Sequence, residues 1–367
     1  MPDIRIKVPG TPETEYEIVI GSGILPSVWA QIKAAHGKFN RFVVTDEHVV
    51  AAGHLDALLG GRPAPYSAIQ PAGEVSKTID TAVAIVEAME KAYLGRDTVV
   101  IALGGGTVGD IAGFAAAIFK RGVPVVQIPT TTLAQADSAI GGKTGVDSSV
   151  SKNAFGAFWH PAAVYIDVAL VKTLDDRQYR SGLVESIKHG LIADAGYFEF
   201  IETHLDEILA RDPNALEALA RSNCRIKGSV VEEDPFEKNK RRILNYGHTI
   251  GHAVESASNY EMLHGEAVAV GILAAGLIEV ELGLSKPSQF DRIQAVFERL
   301  NVPTRIPSNM APEQLIDLMR HDKKAVDQWP KFVLLDRIGQ VRCEAGQYAV
   351  QVGREVVEKV LKLMMDD

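Results

Sequence analysis

Short runs of β-branched and aliphatic residues alternate with amphipathic stretches through the first half of the chain. RFVVTD (41–46), DTVVIALGGG (97–106), VPVVQIPTTT (123–132) and VYIDV (164–168) are β-branched runs, most of them closing on polar residues or glycine, and they predict buried strands. Between the first two, TAVAIVEAMEKAYLG places Ala82, Ile85, Val86, Met89 and Tyr93 at helical spacing, which predicts a helix with one apolar face. Strands alternating with helices imply a parallel sheet covered on both faces.

After about residue 175 the pattern changes. RQYRSGLVESIKHGLIAD, NALEALARSNCRIKGSVVEED, the 244–283 segment and SQFDRIQAVFERLN are long and amphipathic and read as a helical domain, and KFVLLDRIGQVRC reads as a small hairpin. The most apolar run, AVAVGILAAGLI (267–278), stops at Glu279. It is too short to cross a bilayer core of about 30 Å and predicts a buried, tightly packed helix. No internal repeat or flexible linker separates the halves. With 367 residues, two domains are expected, 1–175 and 176–367.

Composition narrows the function. A 46% hydrophobic and 23% charged chain is of globular type, and 38 basic against 47 acidic residues (net charge −9) argue against a general nucleic-acid surface while leaving room for a local basic pocket. Cys224 and Cys343 lack metal or redox spacing, which favours a reducing compartment. The opening MPDIRIKVPG is charged where a signal peptide needs an apolar core, so a cytoplasmic location with no membrane attachment is expected.

GGGTVGD (104–110) follows a strand and precedes a helix-like stretch, the setting in which backbone N–H groups approach a pyrophosphate. Its spacing departs from G-x-G-x-x-G, and a plain tight turn fits it as well. Asp46, ending an earlier strand, suits a ribose-hydroxyl acceptor or a helix cap. The segment 129–161 gathers Thr130, Thr131, Thr132, Asp137, Lys143 and Lys152 with little periodicity, so it reads as a ligand-facing loop or a solvated one. His248 and His252 lie four apart on one helix face, and His264 can return to the same point after a turn. With Glu185 they could hold a catalytic metal, and spacing leaves open whether His252 is a ligand or an acid/base neighbour. Lys77, Lys227, Arg241, Lys323 and Lys324 fall outside clear apolar stripes and, with Lys143 and Lys152, suit a substrate bearing phosphate and carboxylate.

AGEVSK, GGGTVGD, PTTTLAQADSAIGGKTGVD, SKNAFGAFWHP, SGLVESIKHG, ILNYGHTIGHAVE, LHGEAVAVG and MRHDKK occur in this order. From about residue 40 to 340 the chain thereby resembles the 3-dehydroquinate synthase family of sugar phosphate cyclases. The resemblance implies an α/β N-terminal NAD-binding domain with a mostly parallel, Rossmann-like sheet and a mainly α-helical C-terminal domain for metal and substrate. It further implies metal ligands Glu185, His248 and His264, with His252 beside the substrate. NAD positions would be Asp46, Glu74, Lys77, Gly105, Gly106, Asp110, Thr130, Thr131, Lys143, Lys152 and Thr173. Asp137, Lys143, Asn153, Lys188, Lys227, Arg241, Asn245 and His252 match the family's substrate pocket, with Lys324 favoured over Lys323 near the carboxylate. Arg121, in FKRG, resembles a residue reaching the substrate phosphate from the second subunit of a homodimer.

The implied cofactors are NAD+ and one divalent metal, zinc or cobalt. The implied reaction converts 3-deoxy-D-arabino-heptulosonate 7-phosphate, a small anionic phosphorylated sugar acid, to 3-dehydroquinate and phosphate without net redox change. Other cyclases of the superfamily use sedoheptulose 7-phosphate, glucose 6-phosphate or an amino analogue; Lys227, Arg241 and the Lys323/Lys324 pair favour a substrate with a carboxylate. A metal-dependent polyol dehydrogenase or a silent nucleotide-binding protein are the competing classes. Ser151 and His160 depart from the commoner Gly and Gln without removing a functional group.

Overall fold

The computed structural model describes residues 14–259, 261–320 and 329–366. Through the first half, strands and helices alternate as β1 (Glu17–Gly21), α1 (Leu25–Ala35), β2 (Asn40–Asp46), α2 (Glu47–Ala51), α3 (His54–Leu59), β3 (Tyr66–Ile69), α4 (Ile79–Lys91), β4 (Thr98–Gly104), α5 (Gly106–Ile118) and β5 (Val125–Pro129). A hairpin of β6 (Lys143–Val146) and β7 (Phe155–Phe158) precedes β8 (Ala163–Asp167). Six of these strands form one sheet in the order β1-β8-β5-β4-β2-β3, every neighbouring pair parallel.

Alternate residues of the central strands serve opposite faces, as a pleated strand requires. Phe42, Val44, Val100 and Ala102 pack with Ile85 and Met89 of α4 and Ile111 and Ala115 of α5. Val43, Val99, Ile101 and Leu103 pack with Val28 and Ile32 of α1 and Leu58 of α3. The expected two-faced sheet is present. Tyr93 departs from the expected stripe: α4 ends at Lys91, Tyr93 turns out at φ 57° with 97% exposure, and Leu94 packs in its stead. The 129–161 segment is also more ordered than its periodicity suggests, holding a π-helical turn at Ala134–Ser138 and the β6–β7 hairpin.

The second half is helical: α6 (Asp176–Ala193), α7 (Ala195–Thr203), α8 (Leu205–Leu209), α9 (Pro213–Glu233), α10 (His248–Ala257), α11 (His264–Glu281), α12 (Pro287–Leu300) and α13 (Pro312–Arg320). Short strands β9 (Lys331–Phe332), β10 (Leu335–Arg337), β11 (Gln340–Val341) and β12 (Val350–Gln351) lead to α14 (Arg354–Met364). The expected hairpin is reduced to β10–β11, because β9 pairs with β12.

α11 is buried all along 265–276, as its apolar run predicts, and Glu279, at which that run ends, is buried as well. That carboxyl is fully buried, accepts from Leu335 N at 2.7 Å and faces the Tyr246 hydroxyl. Burial pushes it from its ordinary 4.5 up to about 8. Among the described residues no helix is long and apolar enough to cross a membrane.

Candidate active site

Close backbone approach assembles the histidine cluster. Gly265 lies so near α6 that a Cβ there would sit 1.8 Å from the Ser181 carbonyl oxygen, which brings the first turn of α11 to the turn of α6 carrying Glu185. Gly271 meets Gly247 as tightly, with a virtual Cβ 2.0 Å from its carbonyl oxygen, and Gly247 itself adopts φ 78° to start α10. His248 and His264 thereby become the first residues of α10 and α11.

One ligand-capable atom from each of His248, His252 and His264 lies within 4.8 Å of the others. Glu185 Oε1 is 3.7 Å from His248 Nε2 and 3.6 Å from His264 Nε2. The Glu185 side chain is 1% exposed and pairs with Lys188, yet neither carboxylate oxygen meets hydrogen-bond geometry. His248 Nδ1 sits 3.1 Å from the Tyr246 carbonyl, which makes Nδ1 the donor and turns the Nε2 lone pair to the cluster. Burial, reinforced by Lys188, holds His248 well below its ordinary range and therefore neutral. His264 behaves oppositely: burial opposes its cation, but Glu185 and Glu255 outweigh it and raise the imidazole to about 9.

A second cluster adjoins the first. Lys227 Nζ is 2.7 Å from Asp137 Oδ1. Burial works against the Asp137 carboxylate, but Lys227 and Lys188 hold it well below the usual range. His189, fully buried, directs Nε2 at the same oxygen from 3.7 Å and contacts Asn223 through Nδ1 at 3.0 Å. Arg241, 1% exposed, donates to the carbonyls of Gly141 and Pro235, so its guanidinium braces the glycine pair 141–142. Lys143 pairs with Glu237, whose other oxygen accepts from Asn245 Nδ2 at 2.7 Å.

At the glycine turn, β4 runs directly into α5. A Cβ on Gly105 would lie 3.0 Å from Thr131 Cγ2, and one on Gly106 3.0 Å from Ser138 Oγ. Beside the turn, Lys77 pairs with Asp110 at 2.7 Å, and Thr107 donates to Glu74 at 3.2 Å. Thr130 is buried, and the Thr131 hydroxyl accepts from Ala134 N. Lys152 pairs with Glu74 at 3.3 Å and with Glu255 at 3.0 Å, which joins this turn to α10.

The remaining expected positions are more dispersed. Asp46 takes the capping role, accepting from Val49 N at 2.8 Å at the start of α2. Thr173 is exposed, and its hydroxyl contacts His54 at 2.9 Å. Asn153 is exposed at φ 51°, its backbone N–H on Asp147, and Arg121 is exposed at φ 70°. Lys323 and Lys324 lie outside the described residues.

Sequence reading missed Glu255, His189, Asn223 and Glu237. Glu255 had a signal, since His248, His252 and Glu255 recur at i, i+4 and i+7 on one helix face.

Comparison with known proteins decides the family. Sequence models of the 3-dehydroquinate synthase N-terminal and C-terminal regions match residues 67–181 and 182–325. The 3-dehydroquinate synthase of Desulforamulus reducens is 43% identical over 330 residues, covering 89% of this chain and 92% of that one. The chain belongs to the 3-dehydroquinate synthase family. Related sugar phosphate cyclases share its architecture. A 2-deoxy-scyllo-inosose synthase, solved with carbaglucose-6-phosphate, NAD+ and Co2+, superposes with a TM-score of 0.86 at 27% identity, covering 95% of this chain and 96% of that one. The 2-epi-5-epi-valiolone synthase of Streptomyces hygroscopicus subsp. jinggangensis, solved with NAD+ and Zn2+, gives 0.87 at 28%, covering 98% and 99%.

Proposed function

We propose that this protein converts 3-deoxy-D-arabino-heptulosonate 7-phosphate to 3-dehydroquinate and phosphate, using NAD+ and one divalent metal, zinc or cobalt. The observation carrying the proposal is Glu185: a buried carboxylate whose oxygens lack hydrogen-bond geometry, 3.6 and 3.7 Å from two imidazole nitrogens. Lys188 pairs with Oε2 and offsets part of the cost of burying this carboxylate, while Oε1 faces the two imidazole nitrogens and is left to a metal cation. Two imidazoles and a carboxylate suit zinc or cobalt.

His252 is the geometric rival of Glu185 for the third ligand position. Charge favours Glu185. His248 and His264 begin helices, where the backbone dipoles favour anions, so a cation there needs an adjacent carboxylate. We assign Glu185, His248 and His264 to the metal and His252 to the substrate side.

Gly105, Gly106, Asp110, Thr130, Thr131, Glu74, Lys77, Lys143, Lys152, Asp46 and Thr173 form the proposed dinucleotide set. The virtual Cβ contacts at the two glycines support close backbone approach. NAD+ and metal together supply reversible oxidation of a substrate carbinol and, with it, acidity at the neighbouring carbon. The chain's residues supply the rest. Lys188 keeps Glu185 ionised, and Lys227 does the same for Asp137. Lys188, Lys227, Lys143 and Arg241, with Asn153, Asn245 and Lys324, would bind and orient the phosphate and carboxylate. Residues 1–175 would carry the dinucleotide and 176–367 the metal and substrate. A cytoplasmic homodimer would let the exposed Arg121 of one copy reach the other's phosphate.

The test is phosphate release from 3-deoxy-D-arabino-heptulosonate 7-phosphate with catalytic NAD+ and trace divalent metal, sedoheptulose 7-phosphate being run in parallel. Dehydroquinate and phosphate with no accumulated NADH are expected from the first substrate. Release from the second alone would assign another branch, and NADH without phosphate would make the protein a dehydrogenase.

A further inference from the structure

Glu255 has no role in the reaction as described, yet it touches both halves of the site. It lies on α10 with 7% exposure. Its Oε2 is 3.4 Å from His264 Nδ1, and its Oε1 accepts from Lys152 Nζ at 3.0 Å. Lys152 continues to Glu74 at 3.3 Å, and Glu74 approaches Lys77 at 4.0 Å and accepts from Thr107, inside the glycine turn. Lys77 closes the series on Asp110 at 2.7 Å. An unbroken run of alternating charges thus connects the histidine cluster to the start of α5.

Each end of Glu255 has a definite chemical consequence. A carboxylate accepts only, so the His264 Nδ1 facing it carries a proton and Nε2 is the nitrogen available to a cation. A carboxylate behind a metal-bound imidazole fixes its tautomer and ring orientation and raises its basicity. At the other end, Lys152 can lie between Glu255 and Glu74 only while the α10 segment and the glycine turn keep their present separation. Seating His264 through Glu255 therefore also seats Lys152 at the dinucleotide side.

We propose that Glu255 is a positioning residue that orients His264 and, through Lys152 and Glu74, makes metal binding and dinucleotide binding mutually reinforcing. The inference rests on the metal and NAD+ reading above and adds a coupling between the two sites. Such coupling is reciprocal, so each ligand tightens the other by the same factor.

Co2+ affinity of the full chain, measured by chelator competition and by the visible spectrum of the bound ion, tests this with and without saturating NAD+. In the parent protein, NAD+ should tighten Co2+ several-fold. Glu255→Gln should weaken Co2+ by about 10- to 100-fold and alter its spectrum. It should also bring the NAD+ effect close to one. Lys152→Met, which leaves His264 and Glu255 in contact, should keep Co2+ affinity without NAD+ and bind NAD+ more weakly, and even at NAD+ raised to saturate the variant it should show no tightening of Co2+. Should Glu255→Gln fail to fold, Lys152→Met and Glu74→Gln probe the same series from the other side. Parent-like Co2+ affinity in Glu255→Gln, or parent-like coupling in the Lys152→Met and Glu74→Gln variants, would overturn the proposal. A parent chain that binds Co2+ and NAD+ independently would overturn it as well. A folded parent chain that binds no Co2+ would instead bring down the metal reading on which it rests.

Discussion

The glycine turn and the histidine cluster solve the same problem, holding polar groups ready for a ligand, by different means. At the turn the backbone forms the surface: β4 passes into α5, two glycines leave room, and the flanking charges Lys77 and Asp110 already satisfy one another. At the cluster, side chains from α6, α10 and α11 converge, and Glu185 is buried without hydrogen-bond geometry. A backbone site tolerates the absence of its ligand. A site made of buried charges depends for its geometry on tight helix packing and on the charges behind it, as Glu185 depends on Lys188.

If that contrast is right, the largest effects belong to the cluster. His264→Ala should abolish stoichiometric metal binding and turnover, as checked by metal analysis of the purified variant; stoichiometric metal with full activity would remove His264 from the set. Gly271→Ala comes next, since its Cβ would fall 2.0 Å from the Gly247 carbonyl oxygen. It should cost about 3 kcal/mol or more in denaturant unfolding. Gly105→Ala, with its nearest contact at 3.0 Å, should cost far less, and equal losses would break the comparison.

Arg241→Ala should have an intermediate effect, because it removes a cation and leaves the Gly141 and Pro235 carbonyls unmatched. Substrate affinity or turnover should fall about tenfold or more, with NAD+ affinity near the parent value. Unchanged kinetics would take Arg241 out of the pocket.

The smallest effect concerns Glu279, whose carboxyl is raised from 4.5 to about 8. Between these values the folded state holds a proton that the unfolded state has released. The contribution is complete below about pH 4.5 and is lost as pH rises through about 8. Glu279→Gln should therefore flatten the decline of melting temperature between about pH 4.5 and 8, the window this group sets. A slope identical to the parent's would show that Glu279 ionises freely.

The same division governs what could be read from sequence. β2, β4, β5 and β8 announce themselves as β-branched runs because they lie inside the sheet and are covered on both faces. β1 and β3 escaped notice because they are the edges, where half the burial is missing and the apolar signal weakens. The β6–β7 hairpin was hidden by its glycines and polar residues. In the site, the histidine spacing was visible because α10 displays it along one face. The burial of Glu279 was not legible, because nothing in the local sequence shows that Leu335 N and the Tyr246 hydroxyl lie beside its carboxyl. The link from Lys152 to both Glu74 and Glu255 spans 78 and 103 residues of sequence, and no local pattern encodes it.

The outer edge of the sheet also carries a schedule. β1 pairs with β8, and Asp167 accepts from Gly23 N and Leu25 N across 144 and 142 positions of chain. On a ribosome adding about 5–20 residues per second, the first strand waits roughly seven to thirty seconds for the residues that secure it. During that interval it is an open edge, available to other nascent chains, so a chaperone that shields the amino-terminal segment should matter more to yield than one acting after release.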